Sequence, residues 1–232
     1  ASSAASDVYK RQNKTYLYSY DPDVFGKKEL IGNWGFTNVT KNWNWKDADQ
    51  KPVQVAVFSN GDEVELIQNG TSVGKLTSGT RLAADLPHSF LFDLTYLPGT
   101  LEAVSYKDGK EISRDTLVTT GPAKELRLIQ EKKELSANGH EVAYVRVEIV
   151  DENGIVVPDA ALRLSAAVEG VGSLAAFGSS NPITDENYTS GTFTSYHGTA
   201  TAIIRSGYQT GMCTLTVGCE GLDEKKIAFT IK

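Results

Sequence analysis

Two tryptophans spaced two residues apart, Trp43 and Trp45, are the side chains of this chain best suited to contact a sugar. On a strand, residues two apart point to one face, so the two indoles could form a flat surface for a sugar ring. Tyr196 is a third aromatic candidate for such a contact. The interpretation that we favour is structural, with both tryptophans filling the junction between a β-sandwich and whatever precedes it.

Paired carboxylates are the next candidates, because a glycosidase needs two of them roughly 5 to 9.5 Å apart. Glu63 and Glu65 would satisfy that distance on one strand face. They alternate with Val64 and Leu66, however, which is typical of the solvated face of a half-buried strand. We therefore predict no catalytic role for Glu63 and Glu65.

Metal and cofactor patterns are missing from the sequence. His88, His140 and His197 stand in separate segments, and no His-x-x-x-His or Cys-x-x-Cys spacing brings ligands together. No glycine pattern of the phosphate-binding type precedes a helix. We expect neither a metal site nor a cofactor.

The two cysteines, Cys213 and Cys219, lie in one run, CTLTVGCEG, that is typical of a strand. Six residues of strand would hold them roughly 20 Å apart, whereas a disulfide needs Cα atoms within about 7 Å. We predict two free, buried thiols.

Length and charge limit the classes of partner. The 232 residues suit two domains of about 100 residues each. The net charge is -6 and no cluster of Lys and Arg is present, so we expect no binding to nucleic acid. No run of about 18 apolar residues occurs, and we expect no membrane span.

The elements that would position these side chains are strands. Alternation of apolar and polar residues, with turn dipeptides such as Asn60-Gly61, Asn69-Gly70 and Asp108-Gly109, predicts consecutive antiparallel hairpins. A first immunoglobulin-like β-sandwich is predicted over residues 42–121, with strands near 53–58, 63–68, 89–95, 100–106 and 111–118.

A second immunoglobulin-like sandwich, which resembles the bacterial invasin-type Ig-like domains, is predicted over residues 122–232. Its predicted strands are 126–130, 142–150, 161–168, 198–205, 213–217 and 226–231. Residues 179–195 are polar and glycine-bearing and are predicted to form a loop. The fold class is therefore all-β, with two antiparallel sandwiches in tandem.

The first 41 residues do not fit either sandwich. Residues 1–12 have no periodicity, and we interpret them as a non-native or disordered tail. Residues 13–41 are rich in aromatics and glycine, and we interpret them as an irregular connector from a missing upstream domain. No alternation of strand with helix occurs, so we predict that no (β/α)8 barrel is present.

The stretch NWNW followed by PVQVAVFSNGDEVELIQNGTSVGK resembles the sandwich that follows the catalytic barrel in bacterial β-galactosidase-like enzymes of glycoside hydrolase family 2. ELSANGHEVAYVRVEIVDENG and YHGTATAIIRSG are similar to the terminal Ig-like domain of those enzymes. In that family the barrel supplies both catalytic glutamates.

This resemblance implies a non-catalytic accessory region that braces the upstream barrel of the same polypeptide, its expected partner. It also implies a periplasmic or extracellular location. Two alternatives remain: a carbohydrate-binding module acting through Trp43, Trp45 and Tyr196, or an Ig-like surface adhesin or spacer.

Overall fold

The computed structural model describes residues 13–29, 37–77 and 88–232. The chain divides into two compact units, residues 1–119 and 120–232, and strands dominate both. In the described part, the one helical element is a single 3-10 turn, Pro22–Val24. The all-β prediction is confirmed, whereas the tail proposed for residues 1–12 lies outside the described residues.

The first unit is a sandwich of two antiparallel sheets. Its strands, in chain order, are β1 (Thr15–Ser19), β2 (Pro52–Ser59), β3 (Glu63–Gln68), β4 (Thr71–Thr77), β5 (Ser89–Thr95), β6 (Thr100–Lys107) and β7 (Lys110–Val118). One sheet has the order β1-β2-β5 and the other the order β4-β3-β6-β7. The alternating apolar side chains of β2 and β3 are buried between the sheets, as the period of two predicted.

Two of the predicted hairpin turns are confirmed and one is wrong. Asn69-Gly70 and Asp108-Gly109 have positive φ at both positions and connect paired strands, β3 to β4 and β6 to β7. Asn60-Gly61 instead joins β2 to β3, which belong to different sheets. That turn carries the chain across the sandwich, because β3 pairs with β6 and not with β2.

The first strand corrects the interpretation of residues 13–41 as an irregular connector. β1 pairs antiparallel with β2 along its whole length, from Thr15 opposite Ser59 to Ser19 opposite Val55. Leu17 is fully buried in the core of the first unit. The origin of residues 13–41 in an upstream domain stays a prediction.

The second unit is also a two-sheet sandwich. Its strands are β8 (Glu125–Gln130), β9 (Glu134–Leu135), β10 (Val142–Val150), β11 (Arg163–Gly170), β12 (Gly172–Gly178), β13 (Thr192–Thr194), β14 (Thr199–Ser206), β15 (Gly211–Cys219) and β16 (Leu222–Ile231). The sheet orders are β12-β14-β10-β8 and β13-β11-β15-β16-β9. All pairings are antiparallel except the short contact of β16 with β9.

The strand predicted at residues 126–130 is confirmed as β8, but three strands were missed: the short β9, β12 and β13. β12 follows β11 directly, and β13 lies inside the segment predicted as a loop, 179–195. Neither cysteine forms a disulfide, as predicted. Cys213 is buried in the core, whereas Cys219 is only half-buried, so the prediction of two buried thiols is wrong for Cys219.

Glu141 fixes the chain between β9 and β10 through its carboxylate. It accepts hydrogen bonds from Lys132 Nζ at 2.9 Å and from the backbone N–H of Ser136 at 2.7 Å. Both donors favour the charged carboxylate, and Lys132 contributes most, so the pKa of Glu141 falls from its ordinary 4.5 to about 2. A depressed pKa means that this contribution to stability is present above about pH 4 and is lost as the pH falls toward 2.

We therefore expect the side-chain carboxyl carbon of Glu141 to titrate with a midpoint near 2 in an NMR pH series. In a Lys132→Ala variant the midpoint should rise toward the ordinary glutamate value, because the largest stabilising partner is gone. A midpoint in the unsubstituted chain that already equals that of an ordinary glutamate would contradict the contact.

Candidate functional site

Trp43 is a core residue of the first unit. Its side chain is 1% exposed, and its ring meets Tyr96 edge to face with the ring centroids 4.8 Å apart. The indole Nε1 donates a hydrogen bond to the carbonyl of Leu97 at 3.2 Å, which satisfies its one polar atom. With neither face open, Trp43 offers no surface to a sugar ring.

The backbone around Trp43 is tied to the ends of both sheets. The Trp43 carbonyl accepts hydrogen bonds from Tyr96 Oη at 2.9 Å and from Thr119 Oγ1 at 2.8 Å. Tyr96 directly follows β5, and Thr119 directly follows β7. The irregular segment around Trp43 therefore connects the two sheets at one end of the sandwich, and we call it the strap.

Trp45 is half-buried and packs against the same core. Its Nε1 donates to Ser19 Oγ at 3.2 Å, and Ser19 Oγ donates in turn to the carbonyl of Asn42 at 2.6 Å. This chain of hydrogen bonds joins the strap to the end of β1. Residues 41–51 contain no strand, so the two tryptophans do not form the flat surface on one strand face that the less favoured interpretation required.

Tyr196 belongs to the second unit, whereas Trp43 and Trp45 both belong to the first. It begins the turn Tyr196-His197-Gly198-Thr199, in which His197 and Gly198 have positive φ. Its half-buried ring lies against the imidazole of His197, with centroids 4.1 Å apart. A contact of Tyr196 with carbohydrate stays a prediction.

The paired carboxylates on β3 are engaged with surface cations. Glu63 and Glu65 both approach Lys75 Nζ on the neighbouring strand, at 3.2 and 3.4 Å. Hydrogen bonds from Ser72, and then from Tyr106 and Lys75, hold the pKa of Glu65 below its usual range. A general acid needs the opposite shift, toward neutral pH, so Glu65 is suited to ion pairing rather than to proton transfer.

Asp115 on β7 closes the gap between the two sheets beside β1, a contact that the sequence analysis missed. Its Oδ2 accepts the backbone N–H of Leu17 at 2.8 Å and pairs with Lys41 Nζ at 2.7 Å. Lys41 Nζ also lies 5.8 Å and 5.6 Å from the ring centroids of Tyr16 and Tyr18. The alternation in TYLYSY is the signal that could have identified β1.

In residues 13–29, 37–77 and 88–232, no three His, Cys, Asp or Glu side chains are grouped closely enough to hold a metal ion. Within the same part of the chain, no helix has the length and apolar character required to cross a membrane.

Residues 126–228 match the family model Glycoside hydrolase family 2 C-terminal domain 5, and residues 50–113 match a domain of unknown function, DUF4982. The β-galactosidase BoGH2A of Bacteroides ovatus is 29% identical over 209 residues, which cover 90% of this chain and 23% of that protein. A β-galactosidase of Thermoanaerobacter pseudethanolicus is 31% identical over 193 residues, covering 78% of this chain and 24% of that protein.

The crystal structure of a glycosyl hydrolase family 2 member from Bacteroides cellulosilyticus superposes with a TM-score of 0.88 and 26% identity. It covers 99% of this chain, which corresponds to 30% of that structure. A β-glycosidase from Bacteroides vulgatus gives a TM-score of 0.72 and 27% identity, over 82% of this chain and 24% of that one.

The fold and the matched domains define the class of this protein, a pair of β-sandwich domains of the kind found in carbohydrate-degrading enzymes. More particularly, residues 126–228 carry a C-terminal domain of glycoside hydrolase family 2, and the chain as a whole is similar to the corresponding part of family 2 enzymes. It spans about a quarter of the length of the curated relatives that it matches.

Proposed function

We propose that this chain is the non-catalytic C-terminal region of a β-galactosidase-like enzyme and that it braces the catalytic barrel of the same polypeptide. The observation that carries the proposal is the match of residues 126–228 to a C-terminal domain of family 2, together with the β-galactosidases among the relatives. Hydrolysis would then be performed by residues outside this chain.

The construction of the first unit supports a bracing role. The strap around Trp43 fixes one end of the sandwich, and the Asp115 contact fixes β1 along its side. β1 is the first strand of the residues that the structure describes, and a polypeptide that arrived from an upstream domain would pass into this sandwich through a hydrogen-bonded strand.

The carboxylates support the same conclusion. Glu63, Glu65 and Asp115 are all paired with lysines, and Glu148 is held between Arg127 and Arg146. These carboxylates are therefore bound to cations of the sandwich itself, which is the arrangement expected of structural ion pairs.

The direct test is an activity assay on the purified 232-residue chain with p-nitrophenyl β-galactoside. We expect no release of p-nitrophenol above buffer, with circular dichroism confirming that the sample is folded. Turnover that follows the chain through successive purification steps would overturn the assignment as non-catalytic.

The bracing role has its own test, which is the gene sequence upstream of Asn13. We expect it to encode a catalytic barrel in the same reading frame. A start codon immediately before Asn13 would contradict the role as a brace for an upstream barrel.

A further inference from the structure

Tyr208 is the most exposed aromatic side chain of the described residues, at 77% of its surface. It lies in the turn between β14 and β15 of the second unit. The facing turn, between β9 and β10, contains Gly139, whose backbone N–H donates to the carbonyl of Gly207 at 3.1 Å. The two turns are therefore joined directly beside the tyrosine ring.

The ring lies with one flat face against Gly139. A Cβ added to this glycine would meet Cζ of Tyr208 at 2.4 Å and both Cε atoms at an equal 2.8 Å. An approach from one side of the ring would bring one Cε closer than the other, and an approach from the tip would meet Oη first. The equal distances place the glycine above the ring plane, so the opposite face is the one that solvent reaches.

Gly139 is required at this position for two reasons. Its φ of 71° lies in the left-handed region, which a residue with a Cβ adopts at a cost. Any Cβ would also enter the space that the tyrosine ring occupies. The contact with Gly139 holds the ring in one orientation. A ligand that stacks on the free face therefore does not bear the entropy cost of immobilising the side chain.

The residues that flank Gly139 and Tyr208 in sequence include three with hydrogen-bonding side chains. Asn138, His140 and Gln209 adjoin the glycine and the tyrosine in sequence, and all three are exposed. Asn138 Oδ1 accepts the backbone N–H groups of His140 and Glu141, each at 2.9 Å, which fixes the orientation of the amide. An amide and an imidazole beside a flat aromatic face match the hydroxyl groups and the apolar C–H face of a sugar.

We propose that Tyr208, backed by Gly139, is a binding surface for one neutral pyranose ring of a polysaccharide; we call it the Tyr208 platform. It is separate from the bracing role and does not depend on it. A protein partner is less favoured, because an interface anchor is usually surrounded by apolar residues, whereas the residues that directly flank Tyr208 and Gly139 in sequence are Gly207, Gln209, Asn138 and His140.

The test is affinity electrophoresis of the 232-residue chain through gels that contain galactan, galactomannan or a neutral β-glucan, with polygalacturonate as an anionic control. We expect retardation by at least one neutral polysaccharide and none by polygalacturonate. Tyr208→Ala should weaken the association by about tenfold or more, as removal of an aromatic anchor does. Tyr208→Trp should retain binding, because a larger flat ring takes the same place.

Two further variants separate the platform from a general effect. Gly139→Ala should also abolish retardation, because its Cβ displaces the ring while the tyrosine remains. Tyr144→Ala is the matched control, since Tyr144 is an exposed tyrosine on β10, and its removal should leave the mobility unchanged. If Gly139→Ala proves misfolded by circular dichroism, the exposed Tyr208→Ala substitution still decides the result.

Three outcomes would overturn the proposal. One is the absence of retardation in all three neutral gels, and another is retardation that persists in Tyr208→Ala. The third is self-association detected by sedimentation velocity that Tyr208→Ala abolishes without any retardation by polysaccharide. That result would identify the ring as a contact between copies of this chain.

Discussion

Replacement of Trp43 by alanine is expected to destabilise the first unit by about 3–5 kcal/mol, as other deletions of large buried aromatics do. The side chain is 1% exposed, packs edge to face on Tyr96 and donates its N–H to the Leu97 carbonyl. A typical domain has only about 5–15 kcal/mol of net stability. The variant is therefore expected to be close to unfolded in this unit at 25 °C.

Urea unfolding followed by tryptophan fluorescence isolates this effect. All three tryptophans of the chain lie in residues 1–119, so the fluorescence transition reports on the first unit alone. Trp45→Ala is the matched control, because Trp45 is half-buried and its removal should cost clearly less. Equal shifts of the midpoint for the two variants would contradict the burial of Trp43.

The burial of Trp43 illustrates what sequence patterns leave undecided. The prediction of a two-tryptophan surface assumed a strand at NWNW, and only a strand gives side chains two apart the same direction. In the structure this segment is irregular, and Asp47 and Gln50 just beyond it have positive φ. The tryptophans are positioned by distant partners, Tyr96 and Ser19, which no local pattern reveals.

The strands that were predicted correctly have strong alternation with β-branched residues. Val53, Val55 and Val57 on β2 and Val145 and Val147 on β10 are all fully buried, as their period indicated. Such residues specify both the strand and its inner face. Alternation does not identify the neighbouring strand with which a strand pairs, because the same pattern is compatible with a place in either sheet.

Asn60-Gly61 shows this limit clearly. The dipeptide is a favourable hairpin signal, but neither residue has positive φ here. Gly61 is needed for a close approach instead, because a Cβ there would lie 2.7 Å from the carbonyl of Tyr106. The requirement for glycine comes from packing against Tyr106 of β6, which is 45 residues away along the chain. The dipeptide was therefore interpreted as a hairpin turn although its glycine serves a long-range contact.

The missed strands were hidden for a related reason. β12 has the sequence GSLAAFG, whose small residues give little contrast between its faces. It forms because β14 supplies its hydrogen bonds and because Phe177 is completely buried in the core. Tertiary pairing outweighs weak local preference in such strands.

β1 shows that the first domain begins earlier in the chain than the predicted residue 42. The family match to the first unit covers residues 50–113, which excludes both β1 and the strap around Trp43. Yet Leu17 and Trp43 are members of one buried cluster with Val55, Leu66 and Phe90. The folding unit is therefore larger than the matched segment and includes residues that precede it by more than 30 positions.

Leu17→Ala tests this larger unit. Leu17 is fully buried on β1, and truncation of a buried leucine costs about 2–5 kcal/mol. We expect the urea midpoint of the tryptophan fluorescence transition to fall accordingly, while Lys27→Ala, an exposed residue of the same region, changes stability by less than about 0.5 kcal/mol. If Leu17→Ala were as silent as Lys27→Ala, residues 13–41 would be a connector after all. A large shift would instead establish that the strand entering from the N-terminal side is part of the sandwich core, as a brace requires.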